Sequence, residues 1–236
     1  MAAITWWFVL GTIGMVVGTA ALAIGVSTLE RDRRTQMLHI AGVPAIAAVA
    51  YALMALDVGG IQTLSSDLIY VPRYFDWLLT TPLHVAYIGL IAGLDRRERW
   101  GLAGLQGAVI VLGFLGGVLA GLPKIAFFGA GSIVYVVLIY RLRTTGRASA
   151  EKRGVETAGL YRKLLNFVIV LWAVYPVIWI LAPTGIGAMD TETASLVITY
   201  IDVVAKVGFG AIAIEGQRVL TQVASAEQAG TDQVGA

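Results

Sequence analysis

Tyr200-Ile-Asp202-Val-Val-Ala-Lys206-Val-Gly-Phe-Gly210 sits inside an otherwise apolar run, residues 191–215, with Lys206 well away from either end. An ammonium in the middle of such a run costs at least ~3 kcal/mol to place in hydrocarbon, so a chain that keeps one there must compensate it. Asp202, four residues earlier, falls on the same helix face as Lys206. In an earlier apolar run Arg73 and Asp76 stand three apart, also on one face. Two carboxylates and two cations can form a compact interior cluster, with Arg73 holding the negative charge in check. The alternative is that the four charges merely neutralise one another as a packing device between helices.

Outward from this cluster, the rest of the chain is built for lipid. Of its residues 58% are hydrophobic and only 14% charged, with a mean hydropathy of +0.79, which points away from a soluble domain. Seven stretches have the roughly 20 mostly apolar residues a spanning helix needs: 4–27, 36–56, 71–93, 100–120, 124–142, 160–182 and 191–215. The expected fold is all-α, a bundle of seven transmembrane helices over residues 1–223, followed by a polar, disordered tail at 224–236. The run from Ile4 to Val26 lacks the basic flank of a signal peptide and reads as the first, retained, membrane helix. Fourteen of the 17 Lys and Arg residues fall in alternate connections and after the last span, which makes that side cytoplasmic and the N-terminus extracellular. Lys124, at a helix edge, can snorkel to the interface. GlyGly at 59–60 and the alternation up to Tyr70 suggest a short β-hairpin between the second and third helices. The absence of cysteine excludes disulfides, thiolate metal sites and thiol nucleophiles; a net charge of +2 gives no nucleic-acid footprint. No internal repeat supports a duplicated transporter.

An amine kept out of water holds its proton less tightly and can condense with an aldehyde. Trp77 adjoins Asp76, and Trp172, Tyr175 and Trp179 share one face of the sixth helix; Tyr51 lies on the second. An aromatic stripe by itself is usually core. Beside a buried lysine and paired carboxylates, flat rings instead make a slot for a long planar apolar ligand.

Three ordered motifs carry a resemblance. Arg73-Tyr-Phe-Asp76-Trp77-Leu-Leu-Thr80-Thr81-Pro82-Leu, Trp172-Ala-Val-Tyr175-Pro176-Val-Ile-Trp179 and Asp202-Val-Val-Ala-Lys206-Val-Gly-Phe-Gly resemble the third, sixth and seventh helices of microbial (type 1) rhodopsins, across essentially the whole chain. The resemblance implies all-trans retinal on Lys206 as a protonated Schiff base. It implies Asp76 as primary counterion and proton acceptor, Thr80 hydrogen-bonded to it, Asp202 as second counterion and Arg73 on the extracellular side. Trp77, Thr81, His84, Val109, Gly113, Phe128, Gly131, Trp172, Tyr175, Trp179 and Tyr51 would form the retinal site. Metal ligands are not implied, nor is an enzyme.

Within that family, proton pumps place a carboxylate eleven residues after the counterion, ~16 Å further along the helix. Here that position is Tyr87, and Ala194 stands where pumps have a proton-releasing glutamate, though Glu192 is near. A phenol titrates near ~10, starts neutral and would leave a costly buried phenolate, so reprotonation should be slow and the light state long enough to signal. The pattern looks most like the archaeal sensory rhodopsin II group of phototaxis receptors, which implies a two-helix membrane transducer docked at Tyr200 and leaves a homo-oligomer open. Tyr200 could equally be an aromatic facing lipid. Phe128 and Gly131 also resemble the blue-shifted receptors. Ala205 departs from the pattern, since blue-light receptors have there a threonine bonded to Tyr175; His84 replaces an apolar residue near the middle of the polyene, and Gln106 replaces an amide or acid. The alternative reading is a light-driven proton pump with a slow photocycle.

Overall fold

A computed structural model describes residues 3–234. Its order is α1 (Ala3–Ser27), α2 (Arg31–Ala55), β1 (Gly60–Gln62), β2 (Leu68–Tyr70), α3 (Val71–Ile91), α4 (Arg96–Val118), α5 (Gly121–Arg141), α6 (Arg147–Glu151), α7 (Val155–Trp172), α8 (Val174–Leu181), α9 (Thr191–Val203) and α10 (Phe209–Val234). Six helical segments are long and apolar enough to cross a membrane. The seventh span is α3, whose apolar run is interrupted by the buried residues Arg73, Asp76 and His84. In hydrocarbon every backbone amide must be paired within its own segment, which is why the connections are short and the spans helical. The all-α seven-helix bundle expected from hydropathy is the observed architecture.

Spans α1 to α5 pack each against the next, α7 lies against α10, and α1 closes the bundle on α9 and α10. Gly116 lets α4 approach α5 closely, since a Cβ there would lie 3.1 Å from the Phe128 amide nitrogen. Helix starts are fixed by side chains where the sequence supplies them. Asp95 accepts from the Glu98 amide (2.8 Å) ahead of α4, and Asp190 accepts from the Thr193 amide (2.8 Å) ahead of α9. That amide, helped by the Thr193 hydroxyl, holds the exposed Asp190 carboxyl below its ordinary range. Pro176 cannot donate to the carbonyl one turn back, so the sixth span divides at Ala173 into α7 and α8.

The hairpin exists: β1 and β2 pair antiparallel with Ile61 opposite Ile69, and Gly59 takes φ +83° ahead of it. Three features differ from the sequence reading. The fifth span does not stop near 142; it passes through a π turn, Leu142–Gly146, into α6, with Tyr161 of α7 donating to the Leu142 carbonyl (2.7 Å). The last helix, α10, runs to Val234, past the boundary drawn at 224 for the tail, and residues 235–236 lie outside the described part. Lys124 does more than snorkel: its ammonium lies 3.4 Å from Asp67 and 3.4 Å from the Ser65 hydroxyl, tying the hairpin to α5.

Because both partners of that bridge are less than a fifth exposed, Lys124→Met or Asp67→Asn should each lower stability by about 0.5–1 kcal/mol. The double variant should lose no more than either single one, as measured by thermal unfolding in detergent.

Candidate functional site

Lys206 lies in a second π turn, Val204–Gly208, between α9 and α10. Such a turn adds one residue to the helical repeat and re-aims the side chains around it. The ammonium points inward and is 2% exposed, with Nζ 2.9 Å from Asp76 Oδ2 and 3.3 Å from Asp202 Oδ1. The two carboxylates come from different spans, α3 and α9, so the amine pins these spans together.

The carboxylates are held differently. Asp202 accepts from the Tyr51 hydroxyl (2.7 Å), from the Trp77 indole N–H (3.1 Å to Oδ1, 3.2 Å to Oδ2) and from the Tyr175 hydroxyl. Three spans therefore aim donors at one anion. At Asp76 the Thr80 hydroxyl lies 2.7 Å from the backbone carbonyl and 3.2 Å from Oδ1, while Oδ2 accepts no hydrogen bond other than its contact with Lys206. Asp76 thus keeps an oxygen that faces Nζ and nothing else among the described residues.

Arg73 departs from the expected cluster. It is buried, but its guanidinium lies over the Phe8 ring (5.5 Å to the centroid), forms no salt bridge with either carboxylate, and leaves Nε and Nη2 unpartnered among the described residues. The Phe8 ring belongs to α1, so this cation–π contact is one that sequence spacing cannot reveal.

From Lys206 a cavity runs between α3, α4, α5 and α8. Trp77, Thr81, His84, Val109, Gly113, Phe128, Gly131, Trp172, Tyr175 and Trp179 all line it, as do Arg73 and Asp202. Trp77 meets Tyr175 edge-on (5.0 Å), and Trp179 stacks on Phe128 (4.0 Å, 13°) at the far end. Gly113 leaves open space where a Cβ would stand. Tyr51 is not in the wall; it stands behind Asp202. Thr80 likewise acts on Asp76 and does not border the cavity. The chemistry is that of a slot with one lysine, counter-charged by two carboxylates, at its polar end and flat rings along its length, a fit for a long, planar, apolar aldehyde.

Tyr175 gives its hydroxyl to Asp202, an acceptor the sequence reading did not pair with it, so the missing threonine at Ala205 leaves no orphan hydroxyl. Tyr200 is 70% exposed on the outer surface of α9. Sequence reasoning missed two polar contacts. Gln106 donates to Thr81 (3.0 Å). Gln217, 1% exposed, donates to the Tyr87 hydroxyl (2.9 Å) and accepts from Arg33 (2.6 Å). The signal for Gln217 was present: an amide on the last span eleven residues beyond the lysine.

With this geometry in place, comparison with known proteins gives a consistent answer. The family model described as "Bacteriorhodopsin-like protein" matches residues 2–220. Sensory rhodopsin-2 of Haloarcula vallismortis is 47% identical over 91% of this chain and 91% of that protein. Sensory rhodopsin-2 of Natronomonas pharaonis is 39% identical over 98% of this chain and 97% of that protein. Among solved structures, thermophilic rhodopsin from Rubrobacter xylanophilus superposes with a TM-score of 0.88 at 28% identity, covering 94% of this chain and 99% of that one.

Hydrogen bonds between spans are worth about 0.6 kcal/mol on average and up to ~1.7. Tyr51→Phe, which strips one donor from a buried carboxylate, should cost about 1–2 kcal/mol, whereas Tyr200→Phe on the outer face should cost nothing measurable in the same thermal-unfolding series.

Proposed function

The chain belongs to the bacteriorhodopsin-like family, and we propose from that membership and from the site that it is a retinal-binding photoreceptor of the sensory type, seated in the cell membrane with its N-terminus outward. The observation that carries this reading is the Lys206 amine held between Asp76 and Asp202 at the end of a cavity walled by aromatic rings. Lys206 Nζ would hold retinal through its aldehyde carbon, and the bound group would supply the visible chromophore and a light-driven change of shape.

The chain's own residues then divide the work. Trp77, Trp172, Tyr175 and Trp179 confine the ligand to a plane and exclude water. In the dark the positive charge at Nζ is balanced by two carboxylates. Asp76 is the residue that would take the proton from Nζ after light, since its Oδ2 faces the Lys206 nitrogen at 2.9 Å and has no competing donor. Asp202 stays an anion, its lone pairs taken by Tyr51, Trp77 and Tyr175. Thr80 steadies Asp76 from one turn away. Arg73, on the outer side of Asp76, keeps positive potential over the cluster without bonding to it.

The sensory assignment rests on Tyr87. It is fully buried with its hydroxyl tied to Gln217, so no carboxylate stands at the position from which pumps return the proton quickly. A long-lived light state follows, and a membrane transducer reading the outer face of α9 at Tyr200 would convert it to signal. The relatives carrying the name sensory rhodopsin-2 support this over transport.

Lys206→Ala should abolish pigment when purified protein is mixed with retinal. Asp76→Asn should move the absorption band to the red, because the counterion stabilises the cationic ground state; an unmoved band would assign that role elsewhere. Flash spectroscopy tests sensor against pump. In the wild type the blue-shifted state should decay slowly and be accelerated by azide, and Tyr87→Asp should speed its decay roughly tenfold or more. A light-driven acidification at pump rates would overturn the sensory reading.

A further inference from the structure

His84 lines the cavity as a buried polar side chain whose two ring nitrogens the proposed function leaves unused. It is 2% exposed, and neither Nδ1 nor Nε2 has a hydrogen-bond partner among the described residues. A buried polar group left unsatisfied is costly, and a native structure that keeps one calls for a reason. An apolar residue of similar volume would pack as well between the Phe209 ring (4.3 Å) and the Trp172 ring (6.2 Å).

The surroundings supply that reason. His84 shares the cavity with Lys206 on the side away from Asp76, eight residues further along α3. One turn beyond it stands Tyr87, whose ring also meets Phe209 (6.0 Å). From the Tyr87 hydroxyl a continuous polar line leads outward through Gln217 Nε2 (2.9 Å) and Gln217 Oε1 to Arg33 (2.6 Å), at the first turn of α2. Apolar side chains, Val85, Ile88, Leu164 and Val168 among them, seal the remainder of this half of the bundle. The groups facing this region are therefore few. Lys206 lies on one side, and Tyr87, Gln217 and Arg33 on the other, with the exposed His39 ring 6.4 Å behind Tyr87. None of these groups is a carboxylate.

We propose that His84 is the relay through which a proton from the inner surface returns to Lys206, a role that rests on the reading in which Nζ has given its proton to Asp76. A neutral imidazole can relay without ever becoming charged. One ring nitrogen accepts a proton arriving from the Tyr87 side, the other releases its own toward Lys206 Nζ, and the ring ends as the opposite tautomer. One N–H bond forms, one breaks, and rotation of the ring restores the starting arrangement. Which nitrogen carries the proton is normally fixed by the hydrogen bond the other makes; here neither makes one, so neither tautomer is locked. Phe209 and Trp172 close on the ring in the resting state, and water must part them before the relay conducts. This makes the return slow in a chain that has Tyr87, and not a carboxylate, on this side of Lys206.

The experiment uses the full chain in lipid vesicles. His84→Phe keeps the ring shape and His84→Asn keeps a polar group, and neither can relay. In the pigment that each variant forms, recovery of the dark band should be slower by roughly tenfold to a hundredfold. Added imidazole should restore the rate in both, which a lost packing contact would not allow. A second readout needs no photocycle: in the retinal-free protein labelled with 15N-histidine, the signals missing from His84→Asn should be those of a neutral ring with both tautomers populated. Recovery at the wild-type rate in both variants, slowing that imidazole does not relieve, or a single locked tautomer would each overturn the relay. A wild-type protein that takes up no retinal would instead overturn the photoreceptor reading itself.

Discussion

The ammonium of Lys206, placed where only hydrocarbon and protein surround it, is the constraint from which the rest of the bundle follows. A charge there is tolerated because Asp76 and Asp202 stand at 2.9 and 3.3 Å, and those carboxylates are tolerated because other spans bring donors to them. Tyr51 on α2, Trp77 on α3 and Tyr175 on α8 all converge on Asp202. Most of the polar chemistry of the interior is thus a chain of compensations that begins at one nitrogen. The same chain sets the mutual position of the second, third, sixth and seventh spans. Stability and function share one cluster, so changes that tune one perturb the other.

The bundle is asymmetric about that nitrogen. Toward the hairpin end lie the carboxylates, Arg73 and the Lys124–Asp67 bridge; toward the other end lie the large apolar cluster and a thin polar line through Tyr87, Gln217 and Arg33. On the proposed reading, a proton leaving Lys206 toward Asp76 meets a prepared acceptor at once, and a proton coming back meets packed side chains and an unpartnered imidazole. Fast departure and slow return would then be the two halves of a long-lived state, set by where polar groups stand along α3.

The legibility of this chain was uneven for physical reasons. Hydropathy and the charge of alternate connections made the seven spans visible, even α3, whose buried Arg73, Asp76 and His84 depress its hydropathy. The hairpin showed through Gly59-Gly60 and its alternation. Helix ends did not, because α2 and α4 begin several residues before their apolar runs, and α5 continues through a π turn that leaves no mark in composition. Arg73 was misplaced because spacing along one helix put it beside Asp76, whereas the Phe8 ring that receives it belongs to α1. Lys124 and Gln217 were underestimated for the same reason, since each finds its partner on an element remote in sequence.

By itself the sequence determined which residues must be inside. An ion within an apolar run has to be paired, a helical repeat assigns faces, and twenty apolar residues span a bilayer, all of which are local rules. What only the tertiary structure decided was who pairs with whom. That Asp202 receives three donors while Asp76 keeps one oxygen for Lys206 alone, and that His84 receives none among the described residues, depends on how spans rotate against one another. Rotation is set by packing across the whole bundle, which no single segment of the chain encodes.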